Sequence, residues 1–317
     1  MIGFDQLQRG LFGMANAPKA GTMAGHLGAA VVAGYFFGED HPDLDEGVMA
    51  AVRRDQDRIA GGEESIWFDP KKVGITAAEL FAPLPGGEPV PNAAGEIAAV
   101  LGRNIDRTRQ SGHNVIFAAL AIRALSDHPD LATPKVTAGI RRLIGGFDGA
   151  HAGRGYYGKG TGWKNGNAAP IADGEGLPEY RSTEEMARVM IGELAASARE
   201  HRRGFGGLFH LINHAAALAE LEQHGFGELA RRGWASHRHH LLLYRALPDL
   251  TEELGPLEAA QEDPLTPAYW QRQRSRQWSA WLTHRIKTLY GFHTLLGYVE
   301  DGSLRDAARR AFRYLMA

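Results

Sequence analysis

A stretch of this chain recurs 87 residues further on, and no other feature limits the fold so strongly. Gly25-His26 is followed, after thirteen residues, by Asp40-His41-Pro42-Asp43-Leu44. Gly112-His113 is followed at the same spacing by Asp127-His128-Pro129-Asp130-Leu131. Between these markers both copies are apolar (LGAAVVAGYFFGE and NVIFAALAIRALS). After them, AVRRDQDRIAGG and AGIRRLIGG each end in a glycine pair.

This pattern predicts a helix, a tight turn and a second helix. Proline lacks an N–H and clashes with the preceding turn, so it stops the first helix. Asp43 or Asp45 can cap the second helix of the first copy. Thr133 followed by Pro134 fits an N-cap and first helical position in the second copy. A looser third copy starts at His210, turns at His224-Gly225-Phe226-Gly227 and continues through ELARRGWASHRHHLLLYRAL. A fourth runs from His293 through Asp301-Gly302 to the end of the sequence.

Further helices are expected before the hairpins. They span Ala93 to Arg109, the stretch after Ser182, and Tyr269 to Tyr290, which holds Trp270, Trp278 and Trp281. Ser182 with Glu185, and Thr76 with Glu79, form capping-box patterns. Few segments alternate at period two, so little or no sheet is expected. The expectation is an all-α fold in a single domain, 1–317. Its hairpin units fall at about 20–62, 93–147, 182–248 and 267–317. Such hairpins can close into an α/α-toroid-like array or stay open as a solenoid.

Ala20 to Gly38 is long and apolar enough to raise the question of a membrane span. It is rich in glycine and carries His26, and the repeat aligned with it carries Arg123 mid-helix, so a buried helix is expected. Asp5 and Arg9 interrupt any cleavable leader at the start, which makes the cytoplasm the default location. The formal charge of -2 lacks the basic excess of a nucleic-acid binder. The absence of cysteine removes disulfides, thiolate metal sites and cysteine nucleophiles.

Two segments read as loops. Pro83 to Pro91 is a proline and glycine connector. Gly145 to Tyr180 holds eleven glycines in thirty-six residues, together with Tyr156, Tyr157, Trp163 and Lys164. Its aromatic residues suit a lid or pocket edge, so Tyr156, Tyr157 and Trp163, with Tyr290, are the expected substrate contacts.

The fourteen histidines carry the functional signal. His26, His113, His210 and His293 are placed near the starts of apolar helices, where equivalent positions of a closed array face a common centre. Neutral imidazole is the general base suited to neutral pH, and imidazolium the matching acid. His210 and His214, four apart, share a helix face and form a candidate metal pair. Glu220 is turned off that face. His284 and His293 lie half a turn out of phase on a straight helix, unless Gly291 breaks it. His237, His239 and His240, beside Arg238 and Arg245, are expected on a solvated basic surface.

The phosphate-loop, Rossmann, Gly-x-Ser-x-Gly and His-Glu-x-x-His patterns are all missing. Arg272, Arg274 and Arg276, alternating with glutamines, read as a solvated helix start. Two other readings of the fold stay open. One is an α/α-toroid enzyme acting on sugars or terpenoids through Glu63, Glu64, Asp148 or Glu175, near Trp67 and Trp163. The other is a non-catalytic helical-repeat binding protein.

His210-Leu-Ile-Asn-His214-Ala-Ala-Ala-Leu-Ala-Glu220 and His284 to Leu296 resemble helices of the questin oxidase-like family. The resemblance covers about a third of the chain. It implies a largely helical enzyme that cleaves an aromatic polyketide by Baeyer–Villiger-type oxidation. It also implies NADPH or a metal as cofactor; with no dinucleotide fingerprint, a nicotinamide would be held in some other way. The sequence therefore points to a His-lined apolar pocket for a cyclic or aromatic small molecule. His113, His210, His214 and His293 are the principal catalytic candidates, and His26 is a further one.

Overall fold

The structure, a computed structural model, describes residues 2–169, 177, 179–271 and 280–317. Glu175, Trp278 and the Arg272, Arg274 and Arg276 run lie outside the described residues. The fold is all-α. In chain order its first half comprises α1 (Phe4–Asn16), α2 (Gly25–Asp40), α3 (Glu46–Ala60), α4 (Pro70–Val73), α5 (Ala77–Leu80), α6 (Ala93–Leu101), α7 (His113–Asp127) and α8 (Pro134–Gly145). Strands β1 (Arg154–Tyr156) and β2 (Trp163–Asn165) come next. There follow α9 (Thr183–Ser197), α10 (Gly207–Gln223), α11 (Gly227–Arg245), α12 (Thr251–Leu254), α13 (Pro267–Gln271), α14 (Trp281–Leu296) and α15 (Gly302–Leu315). The chain divides into two compact units. The first holds residues 1–101, 117–148 and 263–290; the second holds 102–116, 149–262 and 291–317.

In the first unit α2 packs on α1 and α3, and α8 on α1 and α6. The α1–α2 crossing is backbone against backbone, because Gly10 and Gly28 face each other there. A Cβ on Gly28 would collide with the main chain of Met14 and Gly10. The α2 helix is buried from Gly25 to Gly38, as a core helix should be. Among the described residues no helix is long and apolar enough to cross a membrane.

The expected caps form. Asp45 accepts from Gly47 N at 2.7 Å and starts α3, and Thr133 caps α8 with Pro134 at its first position. Thr76 and Glu79 make a full capping box on α5. In the second repeat copy Arg123 is only 8% exposed, so its charge needs partners inside the unit. It donates to both Asp40 oxygens at 2.9 and 2.6 Å and to the Tyr290 hydroxyl at 3.0 Å, and lies 4.0 Å from the centre of the Phe36 ring. Tyr290, expected at a substrate, is thus the hydrogen-bond partner of a buried guanidinium.

In the second unit α10 packs on α11 and α9, and α9 on α15. Three expectations need correcting. Helix α6 stops at Leu101 instead of reaching Arg109, where Gly102 opens a run of turns. The glycine-rich stretch carries a hairpin: β1 and β2 pair antiparallel, with Tyr156 opposite Trp163. His293 is not near a helix start. It stands in the last turn of α14, because the apolar run begins at Trp281 and Gly291 does not break it.

Candidate functional site

Two short runs of unusual backbone in the second unit each launch a histidine-bearing helix. Before α7, Gln110, Ser111 and Gly112 have φ of 42, 60 and 84°. Before α10, Gly204, Phe205, Gly206 and Gly207 have φ of 141, 48, 72 and 59°. Gln110, Ser111 and Phe205 have side chains, so each costs about 1–3 kcal/mol in this region and must be held by its surroundings. Backbone bonds hold them: Gln110 N to His151 O and Ser111 N to Ala152 O, both 2.8 Å, and Phe205 N to Arg154 O at 2.8 Å.

The carbonyls of these runs point at imidazoles. His113 Nδ1 meets Gln110 O, and His210 Nδ1 meets Gly206 O at 2.9 Å. A carbonyl only accepts, so both Nδ1 atoms carry the proton. The two Nε2 atoms are therefore the lone-pair nitrogens of the neutral rings. They face each other at 2.9 Å. Two lone pairs at that distance repel unless a proton lies between them.

The other imidazoles of the unit show how a satisfied set looks. His240 Nε2 donates to Phe205 O at 2.7 Å, which leaves its Nδ1 to accept from His214 Nδ1 at 3.3 Å. His237 Nε2 donates to Leu211 O at 3.2 Å, and its Nδ1 accepts from the Tyr180 hydroxyl at 3.1 Å. Every one of these contacts works with neutral rings. Burial, then the neighbouring imidazoles, pushes His214 well below the usual histidine range. Burial likewise takes His237 to about 3 and His240 to about 4. Tyr180 also lines a cleft of about 270 Å³ with Glu179, Arg231, Trp234 and Arg238. Burial raises its phenol, so it stays a donor.

The structure therefore brings His113 and His210 together, and groups His214 with His237 and His240. The last two are fully buried, not on a solvated surface. They are in phase with Ala230, Gly233, Leu241 and Tyr244 on the inner face of α11, and that phase was the available signal. His210 and His214 turn to different partners. Among the described residues they belong to no common set of three close ligand atoms, so the proposed metal pair lacks a third ligand. Glu220, buried, pairs instead with His224 at 3.6 Å. His293 is half-buried with its edge on Phe292.

The aromatic candidates of the second unit lie on the β hairpin and beside it. The Tyr156 hydroxyl donates to Glu253 at 2.8 Å, and Trp163 is 45% exposed with Arg154 and Arg203 near its ring. Tyr157 is half-buried under Lys164, and burial raises its phenol.

In the first unit His26 stacks on Trp67, with ring centres 3.6 Å apart and planes 13° apart. Its Nδ1 meets the amine of buried Lys287, a residue the sequence reading passed over. Glu64 is buried and accepts from Leu282 N at 2.5 Å, Thr283 N at 3.1 Å and Trp67 Nε1 at 3.0 Å. It thereby caps the start of α14. Glu63 is paired with Arg58. No protein-family model, characterised protein or solved structure matches this chain.

Proposed function

We propose that this chain is an enzyme acting on a small organic molecule, with His113 and His210 as its acid/base pair. The observation that supports this reading is the 2.9 Å approach of two Nε2 atoms whose Nδ1 partners are both carbonyls. A pair fixed in that way holds one proton between two bases. Once it has given that proton up, it takes one from a weakly acidic substrate, and it does both without rearranging either ring. The strained runs before α7 and α10 support the same reading, since they aim the carbonyls that set both tautomers.

The substrate class rests on the resemblance of His210–Glu220 and His284–Leu296 to questin oxidase-like proteins. It is a cyclic, hydroxylated aromatic such as an anthraquinone, opened by Baeyer–Villiger-type oxidation. The part of the histidine pair is to deprotonate the phenol. No residue is assigned to a nicotinamide or a metal in this reading.

The test is turnover of hydroxyanthraquinones in air by the full chain, with and without NADPH, compared with His113→Gln and His210→Gln. The expected loss is about 10²- to 10⁴-fold in kcat for either variant, the usual share of a positioned acid or base. Wild-type rates in both variants would overturn the pair. A wild-type protein that leaves every quinone unchanged would overturn the substrate class.

A further inference from the structure

The chain has seven lysines, and Lys287 is the buried one, at 2% exposure. The others are exposed, apart from half-exposed Lys164. A buried ammonium ordinarily sits against a carboxylate. Lys287 does not. Its hydrogen-bond partner is the Nδ1 of His26, and the ring of Phe117 lies 5.7 Å from its nitrogen. The nearby carboxylate, Glu64, is occupied by two backbone N–H groups of α14 and the Trp67 indole. His284, whose ring centre is 5.2 Å from that of His26, has its Nδ1 on Ala280 O at 2.7 Å. The groups facing the amine thus favour its neutral form, and an imidazole clamped flat on Trp67 stands ready to accept a proton.

We propose that Lys287 is a nucleophilic amine that condenses with an aldehyde or ketone of flat, apolar body to form an imine, with His26 moving the protons. The nitrogen lone pair attacks the carbonyl carbon, and the C=O π pair moves to oxygen. The two protons of the nitrogen pass in turn by way of His26 Nδ1 to that oxygen. The C–O bond breaks, the oxygen leaves with both protons as water, and the C=N bond forms. No oxidant or reductant is consumed. Burial also brings the Lys287 amine from its ordinary value down to about 7, against the opposing pull of Glu64, so much of it is free base at neutral pH. Burial, then the charge of Lys287, takes His284 to about 3, so that ring does not compete for the proton. This inference does not depend on the histidine pair of the second unit, and either can fail alone.

The experiment is reductive trapping. The folded full chain is incubated with benzaldehyde and cyanoborohydride at pH 7.5, digested, and each lysine peptide is quantified by mass spectrometry. Lys287 should be labelled at least about tenfold faster than the six other lysines. Its labelling should fall as the pH is lowered below 7. In His26→Gln, shown to be folded by circular dichroism, labelling of Lys287 should slow while the other six are unchanged. Preferential labelling of the exposed lysines, with Lys287 reacting only in denaturant, overturns the proposal. An unchanged Lys287 rate in folded His26→Gln overturns the role of His26. Should that variant not fold, the pH profile of the wild-type label decides: a rate at Lys287 that stays flat between pH 6 and 8 overturns the proposal.

Discussion

Four buried imidazoles of the second unit have their proton placed by a carbonyl oxygen, which cannot donate. Gln110 O and Gly206 O fix His113 and His210, Phe205 O fixes His240, and Leu211 O fixes His237. Nitrogen NMR of histidine-labelled protein should therefore find His237 and His240 as Nε2–H tautomers at pH 7. His113 and His210 should both be protonated at Nδ1 and share a further proton at Nε2. Two ordinary neutral rings at His113 and His210 would contradict this. His240→Ala removes the partner of both Phe205 O and His214 and empties a packed site, so it should destabilise by about 2–4 kcal/mol in urea unfolding. The sequence made His113 and His210 visible because they recur at marked places, and His214 because it stands four residues past His210. It hid Lys287, because a single lysine in the apolar run Arg285–Phe292 reads as a solvated interruption. Only tertiary packing buries it.

At the scale of elements, backbone proximity does work that side chains cannot. Gly206 has φ of 72°, and a Cβ there would strike the His210 ring. Gly28 has no room against α1. Gly192, in the middle of α9, has nothing within 4 Å of where its Cβ would stand. Three alanine variants should thus part company. Gly28→Ala should cost about 2–4 kcal/mol, because two helices must separate. Gly206→Ala should cost about 1–3 kcal/mol and disturb the His210 tautomer. Gly192→Ala should stabilise by about 0.5–1 kcal/mol through helix propensity alone. Thermal unfolding of the three checks the order, and equal effects would refute it. The hairpin ends were legible for a local reason: Asp45, Thr133 and Ser182 cap through atoms two or three residues away. The face of α11 was not, since arginines flank its histidines in sequence while the helix turns the two sets to different sides. The positive φ of Ser111 and Phe205 had no sequence signal either, because neither residue type favours that region.

For the whole molecule, buried titrating groups from both units add up to one dependence of stability on pH. His237, His240 and His284 have folded values of about 3, 4 and 3, against an ordinary value of 6.5. Between those limits the unfolded chain binds protons that the folded chain refuses. Stability is therefore lost as pH falls below about 6.5, each group adding up to about 1.4 kcal/mol per pH unit. Lys287 extends the same slope upward. Its folded value of about 7 lies below the ordinary 10.5, so the unfolded chain holds the extra proton across that interval and stability rises with pH through it. The opposite sign enters through the phenols. Burial lifts Tyr35, Tyr244 and Tyr298 to about 12, so above pH 10 the unfolded chain loses protons that the folded chain keeps, and stability falls. The maximum should lie between pH 8 and 10, on the alkaline side of the common range of about pH 5–8. Urea midpoints at pH 5, 7 and 9 should increase in that order, and Lys287→Met should flatten the step from 7 to 9 while leaving the step from 5 to 7. A maximum near pH 6 would mean that the histidines and the lysine titrate in the folded chain as they do in water, and that their burial is not maintained in solution.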